Sequence, residues 1–517
     1  MPQPLPVARR LWRGRYLAAY VALALWFLAH LRAFHHPETG FSSLLWFGER
    51  FEPTRVPQLA DVPLYTIDGD GYDGQFYAQV AVTGNPFAPE LETALDAPAY
   101  RARRVLVPML AHAVGLGRPG LALIAYEFSN VVAWLILAVL LARWWFPPRD
   151  LHNLVRWMGT LFGVGMVISV SRGLVDGPAL LLVAIGARAV EQGRRRAGAV
   201  FLALAGLARE TSVLAAPALL PDREPRSPHG WLRALAMIGV MVLPAALWIV
   251  VLRAHFGYLG GTNNLAPPLV GFAHKLRELR VNWHAGGFRL IRHELWMVVA
   301  VATQVTFLLV RPRPREIWWR IGVTFALFTV ILAWPVWEGN LSAVARTVLP
   351  MTLAFNVLAP RTRAGLVLLL AGNITLLSVR AAYLPLPVAP DSAFPGGIIV
   401  VHAGQWHERE VEGEHSWRWA ADSGALRIHV PRGPDRAVTI AFGLSSVIDR
   451  TVVVRVGDVE RRVVLHVGDH ALVNLGPMRV PAGLTTVRLT TPEPPWQEPA
   501  GRADRKLSFA VHDLSVR

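Results

Sequence analysis

Asp68, Asp70 and Asp73 fall within six residues, separated by glycines, in the run DGDGYDGQFY at 68–77. Glycine lets a chain turn tightly, and a tight turn leaves acid side chains standing out from it. Exposed carboxylates of this kind serve as a general base or hold a divalent cation such as Mg or Mn. Tyr72, Gln75 and Tyr77 lie in the same run. Asp96, Tyr100, Arg101, Arg103 and Arg104 follow. Arginine presents a rigid fork of donors that matches a phosphate. A solvated acidic turn and an ordinary Arg-flanked helix end account for the same residues without any chemistry.

More charge is set between apolar stretches. Arg172 and Asp176 flank a short loop, and Arg209 and Glu210 interrupt the apolar run 197–221. Glu338 and Arg346 bracket another loop. Charges at membrane depth are costly and are paired or functional. Arg209 and Glu210 therefore read either as an ion pair closing a hairpin or as part of a site. Arg346 reads either as a phosphate ligand or as a side chain snorkelling to the interface. His255, His274, His284 and His293 show no metal-ligand spacing and read as loop and interface residues. Cysteine is absent, which removes thiolate chemistry and disulfides.

The elements that must hold these residues are apolar. The 517-residue chain is 53% hydrophobic and 17% charged, against about 25% charged in soluble proteins. Runs near 16–34, 120–142, 153–170, 177–190, 197–221, 231–253, 292–310, 317–336, 347–360 and 364–384 approach or reach bilayer length. Residues 386–517 hold 15 basic and 15 acidic residues, so the whole +16 excess lies in 1–385. Basic loops between apolar helices orient a membrane protein and do not indicate nucleic acid. Arg9, Arg10, Arg13 and Arg15 put the N-terminus inside, and Arg361 and Arg363 send the last run outward. The arithmetic closes if 105–117 lies on the outer surface and 197–221 is a re-entrant hairpin. The expectation is a multi-pass α-helical membrane protein of about eleven segments, N-in and C-out. Its helical domain spans 1–385, with an outer loop 35–104. Beyond Pro387, short alternating segments such as 426–430, 451–456, 485–489 and 507–511 predict an all-β sandwich over 395–517 outside the membrane. That sandwich is expected to fold separately and to be dispensable for chemistry. Its Trp417 and Trp419 alternate on one strand face, so at least one is expected in the core.

One span, a large outer loop with an Asp motif, then many spans resembles the GT-C glycosyltransferases. Asp73-Gly74-Gln75-Phe76-Tyr77-Ala78 has the spacing of the Asp-Glu-x-x-Tyr-Ala signature in two branches of that superfamily. GYDGQFYAQVA at 71–81 and DAPAYRARRVLVPMLA at 96–111 resemble bacterial cell-surface glycopolymer formation membrane proteins. Ser171–Pro178, LARET at 207–211 and ARTVLP at 345–350 resemble the same family, in order. The C-terminal region is similar to jelly-roll modules on glycan-assembly proteins. Gly74 stands where the signature has a second acid, so a two-carboxylate metal site at 73–74 is excluded.

The resemblance implies a hexosyl- or pentosyltransferase in the bacterial inner membrane, working on its outer face. The donor would be a polyprenyl-phosphate-linked sugar, and the acceptor a cell-surface glycan or glycoconjugate. Asp73 would be the catalytic base, with Asp68 and Asp70 supporting it or holding a metal. Arg101, Arg104, Arg172, Arg209 and Arg346 would bind the donor phosphate. Tyr72, Gln75, Tyr77, Asp96, Tyr100, Asp176, Glu210 and Glu338 would contact sugar or acceptor. A lipid-linked glycan flippase and a non-catalytic assembly partner are the alternatives.

Overall fold

A computed structural model describes residues 7–517 except 38, 61, 68, 222–227, 340, 342, 387–390, 392, 408, 431–434, 482 and 499–504. The chain divides into two compact units. The first comprises Met1–Arg32, Gly84–Pro86 and Ala97–Leu384, and the second Ala33–Thr83, Phe87–Asp96 and Pro385–Arg517.

The first unit is helical. Its main helices are α1 (Val7–His30), α2 (Leu106–Val114), α3 (Pro119–Trp144), α4 (Leu151–Leu161), α5 (Val164–Ser171), α6 (Asp176–Glu191) and α7 (Arg195–Ala208). They continue with α8 (Pro228–Phe256), α9 (Val270–Val310), α10 (Ile317–Val330), α11 (Leu349–Leu358) and α12 (Arg363–Gly372). Among the described residues, four helical stretches are long and apolar enough to cross a membrane: Gly14–Phe34, Pro119–Trp144, His229–Phe256 and Val270–Val310. The count is up to six if α4 with α5, and α12 with Ile374–Ala382, each form one bent span. This is fewer than the eleven segments expected, because the other apolar runs fold as shorter helices. Among these, α10 has 14 residues and α11 has 10. The nine residues of α2 rise only about 14 Å, too little to cross. Its Leu110 and Val114 are exposed while Val107 and Ala111 are buried. In the run 197–221, α7 stops at Arg209, which is extended (φ −151°, ψ 119°). A 3-10 segment, Glu210–Leu219, follows and packs beside α7.

The second unit is β-rich. Its strands are β1 (Ile398–Trp406), β2 (Glu410–Glu412), β3 (His415–Val430), β4 (Arg436–Ser445) and β5 (Arg450–Val456). They continue with β6 (Val459–Leu465), β7 (Ala471–Val480), β8 (Gly483–Thr490) and β9 (Ala510–Val516). Pairing is antiparallel throughout these nine, in the order β7-β4-β9-β3-β8-β5-β6. The long β3 pairs β9 and β2 along its first half and β1 and β8 along its second. One apolar cluster gathers inward residues from both groups, including Ile440, Phe442 and Leu444 of β4 and Val487 and Leu489 of β8. Trp406 belongs to this core; Trp417 and Trp419 do not, against the expectation for that strand face.

The boundary drawn from sequence at 385/395 needs correction. Most of the expected outer loop belongs to the same compact unit as the strands. The reason is electrostatic. Arg418 of β3 is ion-paired with Glu49 and with Asp391, the latter at 2.5 Å. Glu52 accepts from the backbone N–H of His402 at 3.0 Å. Composition alone could not show that loop carboxylates are partners of the β region.

Candidate functional site

In the helical unit, side chains from four parts of the chain meet. Asp176 opens α6, and its position is fixed by a buried hydrogen-bond chain. The Gly177 N–H donates to Ser169 Oγ at 2.9 Å, and that hydroxyl donates to Asn130 Oδ1 at 2.8 Å. Arg209 occupies the extended break after α7 and is ion-paired with Asp176. Its guanidinium also donates to Thr211 and Thr347, each at 3.0 Å. Arg346 lies on the turn Val344–Thr347, with Nη1 3.7 Å from Asp176 Oδ2. That turn approaches α5 closely at Gly165, where a Cβ would stand 2.2 Å from the Ala345 carbonyl oxygen. Arg104 grips Glu210 with both arms of its fork, at 2.9 and 3.0 Å, and donates to Tyr100 Oη at 2.9 Å. The Tyr100 ring has Arg101, Arg103 and Arg104 within 5.4 Å of its centroid. Arg103 is anchored on the Leu259 and Gly260 carbonyls, the second at 2.7 Å.

Arg104, Arg209, Arg346, Asp176 and Glu210 thus form one cluster of three guanidiniums and two carboxylates. Among the described ion pairs, guanidiniums outnumber carboxylates in it by one. Forked donors of this kind match phosphate oxygens. Arg101 is buried, and Arg172 is half-buried at the end of α5, four residues before Asp176. Glu338 is exposed. Thr211 and Thr347 were not singled out from sequence, although both lie inside LARET and ARTVLP.

The Asp motif is in the other unit. Asp68 lies outside the described residues. Asp70 is exposed and pairs with Arg50 at 2.9 Å. Asp73 begins the helix Asp73–Thr83, where the helix dipole favours a carboxylate. Tyr72 is half-buried, Tyr77 is fully buried and Asp96 is exposed. Gln75 braces the loop through its amide. It accepts from the Gly48 N–H at 3.0 Å and donates to the Asp70 carbonyl at 2.7 Å. Gln79, one turn on, does the same for Val56 and Ala94. Gly71 has φ +70°, and a Cβ there would stand 2.3 Å from the Trp46 carbonyl oxygen. These glycines serve docking of the loop as much as exposure of acids. Among the described residues, no three Asp, Glu or His side chains come together as a metal site.

No protein-family model matches the chain, and no curated protein sequence matches it. Among solved structures, the chain aligns over 100% of its length with the arabinosyltransferase EmbB from Mycobacterium smegmatis, at 10% identity and a TM-score of 0.33. It covers 66% of that chain, just under two thirds. An overlap at that score carries no argument about activity.

Proposed function

We propose that the chain is an integral membrane glycosyltransferase of the GT-C kind, N-in and C-out in the bacterial inner membrane. It moves a hexosyl or pentosyl group from a polyprenyl-phosphate donor to a cell-surface glycan or glycoconjugate on the outer face. The observation that carries this reading is the Arg104–Arg209–Arg346 cluster, with its excess of positive charge. The order of motifs from 71 to 350 supports it.

In this reading the acceptor oxygen attacks the anomeric carbon as the bond to the phosphate oxygen breaks. Negative charge grows on the departing polyprenyl phosphate. Preorganised guanidiniums lower the barrier there, because they need not reorganise as charge develops. Asp176 and Glu210 hold the forks in place. Asp73 takes the acceptor proton; that role rests on the sequence resemblance alone and is tested separately. No step is assigned to a metal.

The test uses the purified full chain in proteoliposomes with a polyprenyl-phosphate-linked sugar and a glycan acceptor. Sugar appearing on the acceptor, with free polyprenyl phosphate released, supports transfer. Flipping of intact donor without cleavage would establish the transporter reading instead. Binding without either would leave an assembly partner.

A further inference from the structure

The outer face of the β7-β4-β9-β3 group carries an unusual set of residues. In β4, Ile440, Phe442 and Leu444 point into the core. The alternate residues Ala441, Gly443 and Ser445 therefore make the opposite face, and all three are small. The strands on either side carry large residues. Trp417 of β3 is opposite His512 of β9, His512 is opposite Gly443, and Gly443 is opposite Leu472 of β7. One row across four strands thus runs from an indole wall, over a low floor, to a second wall. The result is a cavity of about 920 Å³. Trp417 and Trp419 are each half-buried on its edge.

The chemistry of the lining is selective. The polar groups are hydroxyl, imidazole and carboxylate. Ser445 Oγ and His512 Nε2 are 2.7 Å apart, and His415 Nδ1 is 2.8 Å from Asp513 Oδ2. Glu410 is held by Arg505 at 2.7 Å, while Glu412 is exposed. Among the described residues no arginine or lysine lines the cavity, in a chain that has 52 of them. That composition disfavours a phosphate or a uronic acid. A purely apolar ligand would strand the polar groups. Aromatic faces beside donors and acceptors suit a ring with one apolar C–H face and a rim of hydroxyls. The volume is that of a site for more than one such ring.

We propose that this cavity is a saccharide-binding site, taking a short neutral oligosaccharide with Trp417 and Trp419 as stacking walls. Ser445, His512 and the carboxylates meet its hydroxyls. The site is independent of the charge cluster in the helical unit, and its test needs no donor lipid.

The test is calorimetric titration of the detergent-purified full chain. The probes are neutral gluco-, manno-, galacto- and arabino-hexasaccharides, a hexagalacturonate and an octalysine peptide. At least one neutral hexasaccharide should bind, and the hexagalacturonate should not. Trp417→Ala and Trp419→Ala should each weaken binding about tenfold, the effect of losing one aromatic face. Their melting temperatures should stay near wild type, because neither ring is in the core. Ala441→Arg, which fills the floor, should also abolish binding. The proposal is overturned if no neutral hexasaccharide binds, or if neither tryptophan change weakens binding. Tighter binding of the hexagalacturonate or of octalysine would overturn it as well.

Discussion

Each unit buries a cluster of arginines and carboxylates, and the two clusters are balanced in opposite ways. In the helical unit, three guanidiniums face two carboxylates. In the β-rich unit, Arg55 and Arg418 face Glu49, Glu52 and Asp391. Burial pushes the Glu52 carboxyl above its ordinary range, against the pull of Arg55 and Arg418. Against the desolvation that raises it, the neighbouring His402 and Arg418 hold the Asp391 carboxyl down at about 2. This second cluster closes on itself and fastens loop to strands. The first sets three guanidiniums against two carboxylates among the described ion pairs. Similar side chains thus fasten loop to strands in one place and, in the proposed function, receive the donor phosphate in the other.

The largest expected effect concerns Asp73, which belongs to neither cluster. Asp73→Asn keeps the shape but is a far poorer base. Transfer should fall about 10²–10⁴-fold with donor binding near normal. Near-normal turnover would remove Asp73 from the mechanism. Arg418→Met tests the closed cluster. It leaves Glu49 and Asp391 buried without their shared cation, and should cost about 3–5 kcal/mol of stability. Thermal unfolding of the β-rich unit should drop accordingly. If it does not, the cluster is not a fastening. Truncation after Leu386 should fail for the same reason, since Glu49 and Glu52 lose Arg418 and the His402 N–H.

Arg346→Met tests the open cluster. Arg346 is half-buried and sits 3.7 Å from Asp176, so the fold should tolerate its loss. Transfer should fall about 10²–10³-fold, as when one preorganised donor is removed. Melting should hardly change. A variant that melts lower yet transfers normally would make the two clusters alike, and both structural.

The sequence made much of this legible. Arg209, Glu210, Asp176 and Arg346 stood out because charge inside apolar runs is costly, and the structure joins all four to Arg104. The alternating strands were readable because the side-chain period of a strand is 2. Other features were not. Gln75 reads as a ligand until its amide is seen bridging Gly48 and Asp70. The partnership of Arg418 with Glu49 spans 369 residues, and no local pattern announces it. At least one of Trp417 and Trp419 is expected in the core and neither is there, because alternation gives the shared face but not which side of the sheet that face is on.

The smallest effect is one of pH, and it belongs to the closed cluster. His402 is buried, and desolvation, with Arg418 nearby, pushes its imidazole down to about 3 against the pull of Asp391. Its ordinary value is about 6.5. Between those values the unfolded chain binds a proton that the folded chain refuses, so stability falls as pH falls. From pH 7 to pH 5 the loss from this group is about 2 kcal/mol. Asp391, held near 2, contributes nothing in that window, because its carboxyl is ionised in both states. Glu52, pushed up by burial, works in the opposite sense and gains stability as pH falls. The contribution of His402 is therefore read by difference. His402→Gln keeps the backbone N–H that Glu52 accepts and removes the titrating ring. The gap in stability between wild type and variant should change by about 2 kcal/mol between pH 7 and pH 5, with wild type losing more. An equal response in both chains would mean that His402 takes up its proton in the folded state, and that the second cluster has room for another charge.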